Sequence, residues 1–126
     1  MPFTRTQKLF AITTVSLALS AGLGVMGWRI LQPGASEQLT LLPSELHEVC
    51  FDIAPPIKLE YDFQTSHPVQ FNLHYHDEDN VLFPVPEQLT RTEQATFTPE
   101  SEQVYCLMWT NTGNENIELS LTYRHY

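Results

Sequence analysis

From about Leu46 onward, apolar and polar residues alternate with a period of two, the mark of strands that bury one face. Ile57, Leu59, Tyr61 and Phe63 alternate with Lys58, Glu60, Asp62 and Gln64. Val69, Phe71, Leu73 and Tyr75 alternate with Gln70, Asn72, His74 and His76, and Ile117, Leu119, Leu121 and Tyr123 with Glu118, Ser120, Thr122 and Arg124. Shorter candidate strands lie at 48–53, 81–85, 95–98 and 103–110. The last is apolar on both faces, with Val104, Cys106 and Met108 on one and Tyr105, Leu107 and Trp109 on the other. That pattern predicts a central strand, or one whose second face is covered by a ligand or partner.

Turn chemistry separates these runs. Pro55-Pro56 stops the first strand, Ser66-His67-Pro68 breaks the second from the third, and Asp77-Glu78-Asp79-Asn80 breaks the third from the fourth. Asn111-Thr112-Gly113-Asn114 predicts a hairpin between the last two strands. Seven short strands in so small a region predict an all-β fold, an antiparallel β-sandwich.

Ahead of this region the pattern changes. Positions 9–28 form a 20-residue apolar run without charge, long enough as a helix to cross a hydrocarbon core of roughly 30 Å. Residues 1–31 therefore read as a signal anchor or a signal peptide, 32–45 as a polar tether, and 46–126 as one folded domain. Arg5 and Lys8 precede the run, which places the N-terminus in the cytoplasm and the domain on the far side. Two fates are open. An uncleaved segment makes a single-pass inner-membrane protein with a periplasmic domain; cleavage near Ala18-Leu19-Ser20 or Gly34-Ala35-Ser36 releases the domain to the periplasm. No N-x-S/T acceptor is present, which fits a bacterial periplasm.

Charge sharpens the picture. From Glu37 onward only Lys58, Arg91 and Arg124 oppose fifteen acidic residues, a net of −12 with histidines neutral. Such a surface repels phosphate backbones and anionic lipid headgroups, so nucleic acid is excluded as a partner. The acidity serves solubility, or attracts cations and basic partners. The two cysteines, Cys50 and Cys106, suggest a disulfide in an exported domain; the alternative is two buried thiols.

Residues 45–126 resemble the GOLD domain, the lumenal β-sandwich of a family of membrane cargo receptors. The likeness rests on Glu48-Val49-Cys50-Phe51-Asp52, the strand Leu59 to Phe63, the strand Val69 to Tyr75 before an acidic turn, and Val104-Tyr105-Cys106-Leu107-Met108-Trp109-Thr110-Asn111 before a closing strand. The resemblance implies that Cys50 and Cys106 join two strands and that the domain binds a protein or peptide rather than catalysing a reaction. It does not extend to cargo transport, because no coiled coil or C-terminal span follows the last strand and the anchor is expected at the other end.

Candidate chemistry centres on His74-Tyr75-His76. On a strand, positions i and i+2 share a face with Cα atoms roughly 6.5 Å apart, so two imidazoles can converge on one ion. Both histidines fall on the polar face, away from the core, and Asp77 follows as a possible oxygen ligand. Copper and zinc suit imidazole, so a copper- or zinc-binding module is the alternative to partner recognition. A binding surface without metal, or a merely solvated face, fits the same pair. His47, His67, His125 and Met108 are further possible ligands that nothing in the sequence brings to His74. Tyr105 and Trp109 either pack in the core or form an aromatic contact patch. No nucleophile, phosphate-loop or dinucleotide motif is present, so no enzyme activity and no resident cofactor are expected.

Overall fold

A computed structural model describes residues 34–126; the expected membrane or signal segment, and with it the question of cleavage, lies outside the described residues. Among the described residues no helix is long and apolar enough to cross a membrane. Six strands follow in order: β1 Ala35–Leu41, β2 Leu46–Ile53, β3 Leu59–Asp77, β4 Asn80–Phe97, β5 Gln103–Thr110 and β6 Ile117–His125. The region is all-β, a curled antiparallel sheet, as the period-two alternation requires.

The pairing explains the curl. β4 borders β3 along its length. The other edge of β3 is shared end to end: Gln70 to His74 pair with β5, and Leu59 to Thr65 pair with β6. Beyond these, β2 borders β5 and β1 borders β6. The sheet is therefore four antiparallel lines, β4, β3, β5–β6 and β1–β2. The last three are interrupted at one level.

Each interruption has a local cause. In β3 the chain from Gln64 to Val69 faces only Thr92 to Thr90 of β4, a bulge that contains Pro68, which has no N–H to give the ladder. Between β1 and β2, Pro43 and the positive φ of Ser44 (72°) turn the chain. Between β5 and β6, Asn111 holds the loop. Its Nδ2 donates to Leu41 O (2.9 Å) and Glu115 O (2.7 Å), and its Oδ1 accepts from Gly113 N (2.9 Å). Its backbone N–H donates to Glu45 O and its carbonyl accepts from Ser44 N, both at 2.9 Å. Every polar group of this fully buried residue is thus used, as burial demands.

One core lies under the curl. Phe63 of β3 meets Phe71, on the far side of the bulge, at 4.7 Å between ring centroids, and Trp109 of β5 edge-on at 5.6 Å. Leu59, Leu73, Leu107, Ile117, Leu119 and Leu121 are buried with them. Burying each such side chain contributes roughly 1.5–3 kcal/mol. Cys50 and Cys106 are register partners on β2 and β5 and form a disulfide across the two strands.

Several expected boundaries differ. Ser66-His67-Pro68 kinks β3 without ending it, and the runs at 81–85 and 95–98 are two parts of the single strand β4. Residues 35–41, expected in the tether, form edge strand β1, which sends Leu39 and Leu41 toward the core. Gly34 leads into it, and a Cβ there would lie 2.6 Å from Tyr123 O. The Asn111 loop is not a hairpin, because β5 and β6 do not pair with each other. It carries the chain onward along the same edge of β3. β5 is the central strand that its two apolar faces predict, lying between β2 and β3.

Candidate functional site

Three adjacent strands present a small grid of polar and sulfur-bearing side chains. Cys50 of β2, Cys106 of β5 and His74 of β3 are partners in one row of the ladder; Glu48, Met108 and Asn72 are partners in the next. Positions two apart share a face, so all six project to the side opposite Tyr105, Leu107 and Trp109.

His74 is the centre of this grid. It is only 5 % exposed and Asn72 1 %, unusual for polar residues on the outer side of a sheet. The His74 Nδ1–H donates to Asn72 Oδ1 at 2.8 Å, which fixes the tautomer and leaves Nε2 with a lone pair. In the neutral ring, Nε2 lies 3.7 Å from Glu48 Oε2, a carboxylate oxygen that only accepts. Burial holds the His74 imidazole below its ordinary value; the Glu48 carboxylate pulls it back up and His76 pushes it further down. The His76 ring stands edge-on to His74 at 5.3 Å, and Phe83 lies 6.0 Å away on the other strand of the hairpin.

Phe83 also borders a cleft lined by both aromatic and polar side chains. Two bulges shape it: Leu73 to Tyr75 face Val85 to Leu82, and Phe71 to Leu73 face Gln88 to Val85, each with one extra residue on β4. Pro84 and Pro86, which cannot donate to the ladder, lie at these bulges. The displaced strand exposes Val81 (44 %), Leu82 (39 %) and Phe83 (45 %). Leu82, Phe83 and Pro84, with Tyr75, Phe97 and Tyr105, line a cleft of about 400 Å³, with Glu100 at its rim. The Tyr105 hydroxyl donates to Ser101 O at 2.8 Å, and its ring packs against Tyr75 and Phe97.

The sequence-predicted residues divide accordingly. His74 and His76 do share a face and lie together, but His74 is buried rather than on a solvated polar face. The strand β5 beside it and Phe83 take the place of solvent. Asp77 is exposed at the end of β3 and forms no group of ligand atoms within 4.8 Å with the two histidines. Among the described residues, the one group of three possible ligand atoms within 4.8 Å of one another is Glu48, His74 and Cys106. Trp109 is fully buried among Phe63, Phe71 and His47, so it is core and offers no contact surface; Tyr105, 2 % exposed, floors the cleft. His47 pairs with Glu37 (3.2 Å) and His67 with Glu115 (2.6 Å), and neither joins His74. Sequence reasoning did not single out Glu48, Asn72 or Phe83 as site residues. Register joins them, and only the shared i, i+2 parity of Glu48 with Cys50 and of Asn72 with His74 hinted at it.

No protein-family model and no curated protein matches the chain. Among solved structures it is similar to a de novo designed double-stranded β-helix, with 18 % identity and a TM-score of 0.42 over 71 % of this chain and 99 % of that one.

Proposed function

We propose that the chain is a membrane-tethered, extracytoplasmic binding module that recognises a protein or peptide partner and performs no catalysis. In this reading the curled sheet closes as a GOLD-like β-sandwich, consistent with Phe63, Phe71 and Trp109 meeting across the bulge of β3. The observation that carries it is the exposed pair Leu82 and Phe83, which line the cleft together, with Val81 exposed next to them in the chain. Apolar side chains exposed together mark contact surfaces, whereas single ones do not. Asp77, Glu78, Asp79 and Glu100 surround this run within a domain of net charge −12, fifteen acidic residues against three cations. The partner segment should therefore carry an apolar or aromatic anchor flanked by Lys or Arg. A rival role in holding copper or zinc at His74 and His76 has against it that Asp77 and the two histidines do not gather their ligand atoms within 4.8 Å of one another.

The test uses the full chain in detergent, panned against a displayed library of short peptides. Captured peptides should share an aromatic or branched apolar residue beside basic ones, weaken with added salt, and be lost with Phe83→Asp. Peptides without that composition, or capture unchanged in Phe83→Asp, would refute the assignment.

A further inference from the structure

We propose that Cys50, Cys106, His74 and Glu48 form a redox-gated site for a thiophilic d10 cation, Zn²⁺ or Cu⁺, closed while the disulfide stands and opened by its reduction. This goes beyond partner recognition at the cleft and does not depend on it.

The donors are grouped closely enough to form a chelate once the two sulfurs separate. Donor atoms around one tetrahedral ion, with bonds of about 2.0–2.3 Å, lie roughly 3.3–3.8 Å apart. His74 Nε2 lies 3.7 Å from Glu48 Oε2. Cys50 Sγ lies 3.3 Å from Glu48 Oε1, a contact that cannot be a hydrogen bond while the sulfur is bonded to Cys106. Donor atoms of Glu48, His74 and Cys106 all lie within 4.8 Å of one another. Two thiolates, one imidazole and one carboxylate make a four-donor set of the composition that zinc takes. The thioether of Met108, in the row between Glu48 and Asn72, adds a soft donor that suits Cu⁺.

A second observation points to a ligand. The His74 ring is more than nine-tenths buried, and its Nε2 lies 3.7 Å from a carboxylate oxygen that has no hydrogen to share. Two lone pairs facing each other are unfavourable unless a cation or proton lies between them. Asn72 holds the other ring nitrogen, as residues behind metal-binding histidines do. In the oxidised state both sulfurs are spent in their mutual bond and the donor set is incomplete.

Opening requires a dithiol reductant, free or on an oxidoreductase. Its two thiols become a disulfide, and two electrons and two protons pass to Cys50 and Cys106. Both protons leave as the thiolates take up the cation. Oxidation runs the sequence in reverse and releases the ion.

The experiment titrates Zn²⁺ into the full chain in detergent, oxidised and after reduction with a non-chelating phosphine, with Co²⁺ as the spectroscopic probe. One equivalent should bind the reduced protein at least about 100-fold more tightly than the oxidised protein. Co²⁺ should give sulfur-to-metal charge-transfer bands and intense tetrahedral d–d bands. His74→Ala should weaken binding about 10–100-fold, and Asn72→Ala, which touches no ion, should weaken it within the same range. Both variants keep the disulfide, so their oxidised forms report folding separately. Equal affinity in both redox states, a Co²⁺ spectrum without thiolate bands, or undiminished binding in His74→Ala would overturn the proposal. So would a reduced chain that unfolds and is not refolded by Zn²⁺.

Discussion

Asn111→Ala removes three side-chain hydrogen bonds at once: two donated to Leu41 O and Glu115 O, and one accepted from Gly113 N. Each intramolecular bond contributes about 0.5–1.5 kcal/mol net, and a buried group left without a partner costs about 1–3 kcal/mol. Leu41 is buried beside the side chain, so its carbonyl gains no easy access to water. A loss of about 3–4 kcal/mol follows, a large share of the 5–15 kcal/mol typical of a domain. The perturbation acts where three lines of the sheet are interrupted together, so it should loosen the join of β1 to β2 as well as that of β5 to β6. Urea unfolding of the oxidised full chain, followed by tryptophan fluorescence, measures the loss because Trp109 reports the core. Hydrogen exchange should show faster exchange at Ser44 and Asn111, whose backbone amides close the same junction. A loss below about 1 kcal/mol, with exchange at Ser44 unchanged, would refute the reasoning.

Trp109→Ala should cost about 3–5 kcal/mol, the range for emptying a large aromatic site, and Trp109→Phe much less; thermal denaturation distinguishes them. Glu93 Oε2 is buried without a hydrogen-bond partner, and burial raises this carboxyl above its ordinary value, against a smaller lowering by Gln88. A raised folded value means that ionisation opposes folding. Glu93→Gln should therefore be more stable than the parent at pH 7, with the advantage fading as pH falls toward and below 4.5, as paired melts across pH would show. Glu78 holds a positive φ of 54° at the tip of the β3–β4 hairpin, so Glu78→Asn should gain roughly 0.5–1 kcal/mol in the same melts.

Much of the fold could be read from the alternation, because a period of two fixes which side chains enter the core whatever the pairing. Tyr61, Phe63, Phe71 and Leu121 are where the pattern puts them. The continuity of β3 and β4 was not legible. Pro68, Pro84 and Pro86 announce irregularity, but a bulge and a strand end use the same residue, and only pairing decides between them. Edge strand β1 was hidden for another reason: Ala35-Ser36-Glu37-Gln38 carries almost no apolar signal, and its place is fixed by Leu39, Leu41 and the close approach of Gly34 to β6. The candidate site failed to show for the same cause as the pairing. His74 and Cys106 lie far apart in the chain, and a polar residue on an alternating strand reads as solvated until its neighbours across the ladder are known.

The disulfide brackets the β3–β4 hairpin: Cys50 precedes it and Cys106 follows it, 56 residues on. Among the described residues, the tip at Glu78 and Asp79 is an exposed turn open to a protease. Such a cut leaves one piece with Cys50 and the other with Cys106, still tied by the sulfur bridge and by the β3–β4 ladder. A clipped molecule should therefore run as one species on a non-reducing gel and as two after reduction, and keep its core through the cut. For an engineer, that makes the hairpin tip an address at which this chain can be opened, extended or given new ends.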